Sequence, residues 1–375
     1  MNVPFYLHSL GDEEIQRVTE VLSSPFLTTG PVTAEFETAF AAYLGVQHAI
    51  GVTSCTAGLF LSLKALGIGP GDEVITTPMS FIATANTILH TGAKPVFVDV
   101  EPDTGNLDVS LIEPVLTPRT KAIMPVHLYG QMVDMKRLKA LAAAHRLSII
   151  EDCAHSVESS RDGVRPGHLG TVACYSFYAT KNLTCGEGGA ITTNDPALAE
   201  LLKKYRLHGM SKNAADRYFS SRYQHYDMEF LGYKCNLDSI HAALLISQLK
   251  SLNARLTRRE QICQRYEQAF RAIPSVRFPV VRPDSVSARH LFTIWVAPDR
   301  RDAIMWELQK RGVGVAVNFR AIHLMRYYRD TFGYAPGMFP NAERIGDSTI
   351  TLPLYPRLTD DQVDYVIETL RQTVA

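Results

Sequence analysis

Tyr175-Ser-Phe-Tyr-Ala-Thr-Lys-Asn-Leu-Thr-Cys-Gly-Glu-Gly-Gly-Ala-Ile191 opens as an apolar strand and passes through a lysine. It then turns on Gly186, Gly188 and Gly189 into a second strand at 190–193. Lys181 therefore sits at a strand-to-loop junction and not on a solvated helix face. Ser176 and Thr180 nearby are small hydroxyl residues, and glycines let backbone approach a flat ligand closely. A lysine in a partly desolvated pocket has a depressed pKa and can form a Schiff base with a carbonyl. Most lysines are simply exposed, so the rest of the chain has to decide between the two.

Outward from this stretch, the strands 172–177 and 190–193 have no long helix between them, which predicts a hairpin inserted into a sheet. Upstream, short Val- and Ile-rich strands alternate with helical patterns. A helix at 12–22 leads through Thr28-Thr-Gly-Pro31 to a helix at 32–44. Strand 48–52 then precedes helix 57–66, 73–76 precedes 82–90, 95–98 precedes 112–116, and 122–126 precedes 136–145. Strand 148–150 ends in a loop. Apolar strands buried on both faces and separated by helices mean a mostly parallel sheet with right-handed crossovers. Downstream come a helix at 196–208 and a polar, aromatic, irregular stretch at 211–229. A long amphipathic helix at 237–256 follows, with Leu237, Ile240, Ala243, Leu244, Leu249 and Leu252 on one stripe. The remainder reads as a smaller α+β unit: strand 290–296, helix 301–311, strand 315–318 and helix 360–374. The division is 1–250, N-terminal arm included, and 251–375.

The 375 residues carry 38 basic and 38 acidic side chains, leaving no global field for nucleic acid or an anionic membrane. Nor is there a basic arm or a helix-turn-helix pattern. A composition 46% hydrophobic and 20% charged is that of a globular chain. The six cysteines show no CxxC spacing and several lie in apolar strands, which points to reduced thiols with no zinc site. No apolar run is long enough for a membrane span and no leader pattern heads the chain, so the expectation is a cytoplasmic protein.

In open α/β sheets, ligands collect at the carboxyl ends of strands. Four such ends suit one ligand. Thr53-Ser-Cys-Thr-Ala-Gly58 joins a strand to a helix and offers amides and hydroxyls to a phosphate, although serine and threonine also head helices everywhere. In Glu151-Asp-Cys-Ala-His-Ser156, Asp152 can pair with a protonated ring nitrogen, with His155 beside the same ring. Met79-Ser-Phe-Ile-Ala-Thr-Ala-Asn86 places Phe81 where an aromatic can stack on a planar group or serve the core. Lys181 with Ser176 completes the set. A Schiff-base lysine, a carboxylate for a pyridinium, an aromatic cover and a phosphate cradle are together what pyridoxal 5′-phosphate (PLP) requires.

These residues resemble the nucleotide-sugar aminotransferases of fold-type I, the DegT/StrS group. Further matching segments are Gly71-Asp-Glu-Val-Ile-Thr76, Pro95-Val-Phe-Val-Asp-Val100, Pro125-Val-His-Leu-Tyr-Gly130, Glu187-Gly-Gly189, His208-Gly209 and Gly232-Tyr-Lys-Cys-Asn-Leu-Asp-Ser-Ile-His-Ala-Ala243. Within that group Lys181-Asn-Leu-Thr-Cys185, Gly232-Tyr-Lys-Cys-Asn236 and Asn318-Phe-Arg-Ala-Ile-His323 look like the aminotransferase that makes UDP-4-amino-4-deoxy-L-arabinose. The resemblance implies a fold-type I PLP-dependent transferase: a large, mostly parallel, mixed seven-stranded sheet domain flanked by helices, plus a smaller C-terminal α+β domain.

It further implies that Lys181 carries PLP and shuttles the proton, that Asp152 holds the ring nitrogen, and that Phe81 and His155 flank the ring. Cys55, Thr56 and Ser176 would hold the phosphate. Many relatives reach that phosphate from the partner subunit with an asparagine two residues after the glycine of the Gly-Tyr segment. Here Lys234 stands at that position with Asn236 nearby, and either can serve. Thr29, Tyr129, Glu187, His208, Arg320 and His323 are candidate substrate contacts. The implied reaction moves the amino group of L-glutamate, released as 2-oxoglutarate, onto a nucleotide-linked, UDP-type 4-keto sugar for amino-sugar and surface polysaccharide biosynthesis. The enzyme would be a homodimer with shared active sites and no metal. Rival readings are a sugar dehydratase or lyase on the same fold, and a non-catalytic PLP-binding regulator. Lysine at 181, where the dehydratases carry histidine, favours transamination.

Overall fold

A computed structural model describes residues 1–211 and 225–374 of the chain. The expected irregular stretch 211–229 falls largely outside these residues. The strands of the main sheet, in chain order, are β1 His48–Val52, β2 Glu73–Thr76, β3 Lys94–Phe97, β4 Thr120–Met124 and β5 Ser148–Asp152. A two-residue strand, β6 Ser160–Arg161, precedes β7 Val172–Ser176 and β8 Gly189–Thr193. The seven-stranded sheet runs β1-β8-β7-β5-β4-β2-β3. The ladders from β3 through β7 are parallel, and β8 pairs antiparallel with both β7 and β1. The inserted hairpin of the Lys181 stretch is therefore the one reversed strand in a sheet that is otherwise parallel.

Alternate residues of these strands serve opposite layers, as the two-residue period requires. Ile50, Val52, Cys174 and Ile191 pack with Leu59, Leu63, Leu198 and Leu202 from the helices Cys55–Ala65 and Pro196–Tyr205. Ala49, Ala173, Tyr175 and Ala190 face Phe36, Phe40, Leu245 and Leu252 from the helices Pro31–Leu44 and Ser239–Phe270. Both faces being covered explains why the strands read as continuous apolar runs. A further buried cluster gathers Ile262, Tyr266 and Phe270 with β10 Phe292–Trp295, β11 Thr349–Leu352 and the helix Asp360–Val374, and Val3 of the N-terminal arm packs into it. The intervening β9, Ser285–Val286, pairs with β6. No helix among the described residues is long and apolar enough to cross a membrane.

Three local expectations change. The helix expected at 112–116 is instead two 3₁₀ turns, Val109–Leu111 and Glu113–Val115, because Pro114 lacks the amide a continuing helix needs. The strand expected at 315–318 reduces to a single bridge, Ala316 with Thr351. β11 already pairs with β10 along its other edge, and the chain leaves it directly so that the Asn318 carbonyl can receive the Tyr129 hydroxyl at 2.8 Å. The long helix starts at Ser239, where Asp238 caps the His241 amide at 2.9 Å, and continues to Phe270. Its second half meets the C-terminal cluster, so its apolar stripe changes partner and a search for one periodic face stops short. The helices Arg326–Phe332 and Pro340–Ser348 and the strand β11 had no sequence counterpart.

The close approach of the Cys55–Ala65 helix start to β8 depends on one glycine. A β-carbon on Gly189 would lie 2.5 Å from the Ser54 carbonyl carbon, 2.6 Å from the Cys55 amide nitrogen and 2.7 Å from the Tyr175 oxygen. All three are backbone atoms and cannot swing aside. Gly189→Ala is expected to lower the unfolding free energy by about 1–3 kcal/mol, read from the urea midpoint.

Candidate active site

β5 and β7 are parallel neighbours whose carboxyl ends deliver the two decisive side chains together. Asp152 is the last residue of β5, and Lys181 follows β7 by one short turn closed by the Lys181 amide on the Tyr178 carbonyl at 2.9 Å. Lys181 is half-buried, and burial of its amine lowers the pKa from 10.5 to about 8. Asp152 and Cys55 oppose that fall. A free amine near neutral pH is the form that attacks a carbonyl.

Asp152 is 5% exposed. Its Oδ2 accepts from the Thr84 hydroxyl at 2.8 Å, and its Oδ1 from the Ala154 amide at 3.1 Å. Thr84 is paired in turn with Ser80 at 2.8 Å. Burial raises the Asp152 pKa, and the Thr84 and Ala154 hydrogen bonds and the Lys181 charge recover only part of it. A buried carboxylate left short of positive charge is a seat for a cation, which is what a protonated pyridine nitrogen brings. Cys55 supplies only a weak thiol contact to Oδ1 at 3.8 Å, and burial drives its pKa well up. At the start of the Cys55–Ala65 helix Ser54 takes the Ala57 amide at 3.0 Å. The amides of Cys55 and Thr56, like all first-turn amides, have no intrahelical acceptor. Thr56 is exposed, and Ser176 is buried at the end of β7 with its hydroxyl 3.4 Å from the Tyr178 amide. These residues fit PLP.

Aromatic groups wall the same space. Phe81 is 57% exposed, its ring 6.0 Å from that of Phe319. Phe319 stacks on His155 at 5.9 Å and 14°. His155 packs 4.4 Å from His290 and accepts the Tyr129 amide on Nδ1 at 3.3 Å. Burial and the Lys181 charge hold His155 well below the usual histidine range, so it is neutral.

The candidate substrate residues scatter. Tyr129 is buried and its hydroxyl is committed to the Asn318 carbonyl. His323 is fully buried, bound to Glu343 at 3.0 Å and packed on Phe339. In both, the polar group is committed within the fold. Glu187, His208 and Arg320 are exposed. Thr29 and Asn236 meet, with the Asn236 amide donating to the Thr29 hydroxyl at 2.6 Å and Lys234 bound to the Asn236 oxygen. That cluster lies against the end of β1, where Asn236 bridges Val52 and Thr53 donates to the Cys235 carbonyl at 2.9 Å. Thr84, Asn182, His290 and Phe319 were missed. Thr84 follows Phe81 by one helical turn and was findable, whereas His290 and Phe319 arrive from over 100 residues away in sequence.

Glu151 turns to the opposite face of β5 from Asp152. With His127 and Cys153 it forms a buried group of metal-ligand type. Its bonds are already assigned, however. Glu151 takes the Gly170 amide at 2.8 Å and the Gly167 amide at 3.2 Å. The Val133 amide donates to His127 Nδ1 at 3.2 Å, so Nε2 carries the proton it gives Glu151 at 2.9 Å. The cluster is a structural lock behind β5.

Comparison with known proteins follows the same geometry. The model of the DegT/DnrJ/EryC1/StrS aminotransferase family matches residues 8–371. The chain is 46% identical to the spore coat polysaccharide biosynthesis protein SpsC of Bacillus subtilis over 99% of its own length and 97% of that protein. Its fold is similar to that of Spr1654 from Streptococcus pneumoniae, described as a sugar aminotransferase and solved in a PLP form. There the TM-score is 0.93 at 32% identity over 100% of this chain and 99% of that one. PseC of Helicobacter pylori, an aminotransferase involved in pseudoaminic acid biosynthesis, is similar with a TM-score of 0.92 at 31% identity, over 100% and 99% of the two chains.

Two outcomes check the lock. His127→Ala, which removes one of the hydrogen bonds to the buried Glu151 carboxylate, is expected to cost about 1.5–3 kcal/mol in urea unfolding. Dialysis against a chelator should leave the wild-type unfolding midpoint unchanged.

Proposed function

The chain belongs to the DegT/DnrJ/EryC1/StrS aminotransferase family, and on that premise we propose that Lys181 and Asp152 are its catalytic pair and L-glutamate its amino donor. The protein is a PLP-dependent sugar aminotransferase. Its acceptor, in this reading, is a nucleotide-linked, UDP-type 4-keto sugar destined for surface polysaccharide. The similarity to SpsC, a spore coat polysaccharide biosynthesis protein, supports that destination. A homodimer with shared sites, in which Lys234 or Asn236 reaches the partner's cofactor phosphate, belongs to the same reading.

The observation that carries it is a desolvated amine facing a buried carboxylate at the ends of two adjacent parallel strands. PLP, when bound, supplies an electrophilic carbon and a protonated ring that accepts the electron pair released at the donor's α-carbon. The protein's part is positioning and proton transfer. Asp152 keeps the ring nitrogen protonated, because the low-dielectric site makes separation of that pair costly. Thr84 and the Ala154 amide aim the carboxylate. Ser176 and the first-turn amides at Cys55 and Thr56 take the phosphate. Phe81, Phe319 and His155 hold the ring plane and exclude water. Lys181, free base above about pH 8, removes the α-proton of glutamate in one half-reaction and delivers a proton to the aminated sugar carbon in the other.

Three measurements test this reading. Lys181→Ala should lose both the visible absorption of the bound cofactor and turnover, and Asp152→Asn should lower kcat by at least about 10²-fold. The rate of PLP capture by the cofactor-free protein should climb with pH and level off above about 8, since the ammonium form is unreactive. An assay with glutamate against UDP-, dTDP- and GDP-linked 3- and 4-keto sugars should show turnover on a UDP-linked 4-keto sugar. Inactivity across the panel would end the assignment.

A further inference from the structure

Lys181 has a second polar neighbour that the reaction scheme leaves unused. Its Nζ lies 3.4 Å from Nε2 of His290, a residue 5% exposed on the approach to β10. The hydrogen-bond chain behind that histidine determines which ring nitrogen carries the proton. The Asn182 side-chain nitrogen donates to the Glu158 carboxylate at 3.1 Å and to the Ala288 carbonyl at 3.0 Å. Both partners only accept, so the amide cannot be flipped, and its oxygen must be what lies 3.1 Å from His290 Nδ1. An oxygen acceptor there places the hydrogen on Nδ1. A neutral ring then presents a bare Nε2 to Lys181. Glu158 is anchored by Arg259 at 2.5 Å, both side chains at most 2% exposed, and Arg259 also donates to Ala288 at 3.2 Å.

We propose that His290, locked in one tautomer by Asn182, Glu158 and Arg259, is a positioning residue for Lys181. Its unprotonated Nε2 accepts a hydrogen from the amine and so fixes the direction of the lone pair. The inference rests on Lys181 being the reactive amine of the reading above. The titratable groups around the pair come from several elements. Lys181 faces Asp152 from β5 and Cys55 from the helix start. His290 faces Lys181, His155 and Arg259, and burial first, then the Lys181 charge, keeps it well below the usual histidine range and therefore neutral. His155 cannot take over the role of acceptor, since its own Nδ1 is occupied by the Tyr129 amide. A neutral acceptor favours the ammonium over the amine, so it moderates the fall that burial imposes on Lys181 and keeps the amine returnable to its charged form.

The test reads the amine directly, without the cofactor. Acylation of Lys181 by a water-soluble succinimidyl ester is followed across pH in cofactor-free protein by peptide mass spectrometry, and the midpoint of the rate profile reports its pKa. The wild-type midpoint is expected near 8. His290→Phe should move it down by about one unit, and Asn182→Leu, which frees the tautomer, should move it in the same direction. His290→Gln, which restores an acceptor, should return it toward the wild-type value. An unmoved midpoint in either His290→Phe or Asn182→Leu overturns the proposal. Should His290→Phe fail to fold by circular dichroism, Asn182→Leu against His290→Gln decides by the same readout. Visible cofactor absorption surviving in Lys181→Ala would instead sink the functional reading, and these midpoints do not depend on it.

Discussion

The site turns on placing an amine and a carboxylate together where water is scarce. In water Lys181 is an ammonium and Asp152 an ordinary carboxylate, and neither does chemistry at neutral pH. Burial pushes the lysine from 10.5 to about 8 and Asp152 upward. The lysine shift alone corresponds to on the order of 3 kcal/mol. That is a large fraction of the net stability of an ordinary domain, so the rest of the fold has to hold the two groups in place against it.

The parallel ladder from β4 to β7 does most of this. Strands buried on both faces have little freedom to slip, because a one-residue slip would turn every side chain to the wrong layer. The register that sets Asp152 beside Cys174 also sends Glu151 to the opposite face. There it is locked by His127 and the amides of Gly167 and Gly170. Two adjacent acids thus have separate tasks: one is saturated with hydrogen bonds behind the sheet, the other is left short of positive charge at its edge. Gly189 then lets the start of the Cys55–Ala65 helix press against the sheet, bringing the first-turn amides to the same edge.

Much of this was readable along the chain. The hairpin around Lys181, the strand ends at Asp152 and Thr53, and Phe81 on its helix start all lie within short segments whose pattern local rules decode. Thr84 was within reach by the same reasoning, one turn beyond Phe81. The partners of Tyr129 and His323 were not, since nothing local in the sequence says that they meet the Asn318 carbonyl and Glu343. The strand expected at 315–318 failed for a related reason. Its apolar pattern is that of a strand, but only the position of β11 determines whether it has a pairing edge.

The sequence by itself determined the alternation of strands and helices, the reversed hairpin, and the places of Lys181 and Asp152 at the carboxyl ends of neighbouring strands. These depend on side-chain period and on glycine, proline and capping residues a few positions apart. Only the tertiary structure decided the company Lys181 keeps. His290 and Phe319 come from the C-terminal third, Arg259 from the long helix and Glu158 from the loop after β5. The proton on His290 is set by an amide that cannot rotate. Such contacts carry no periodic signal, because they are made by packing between segments whose separation along the chain is arbitrary, and desolvation acts only once that packing is complete.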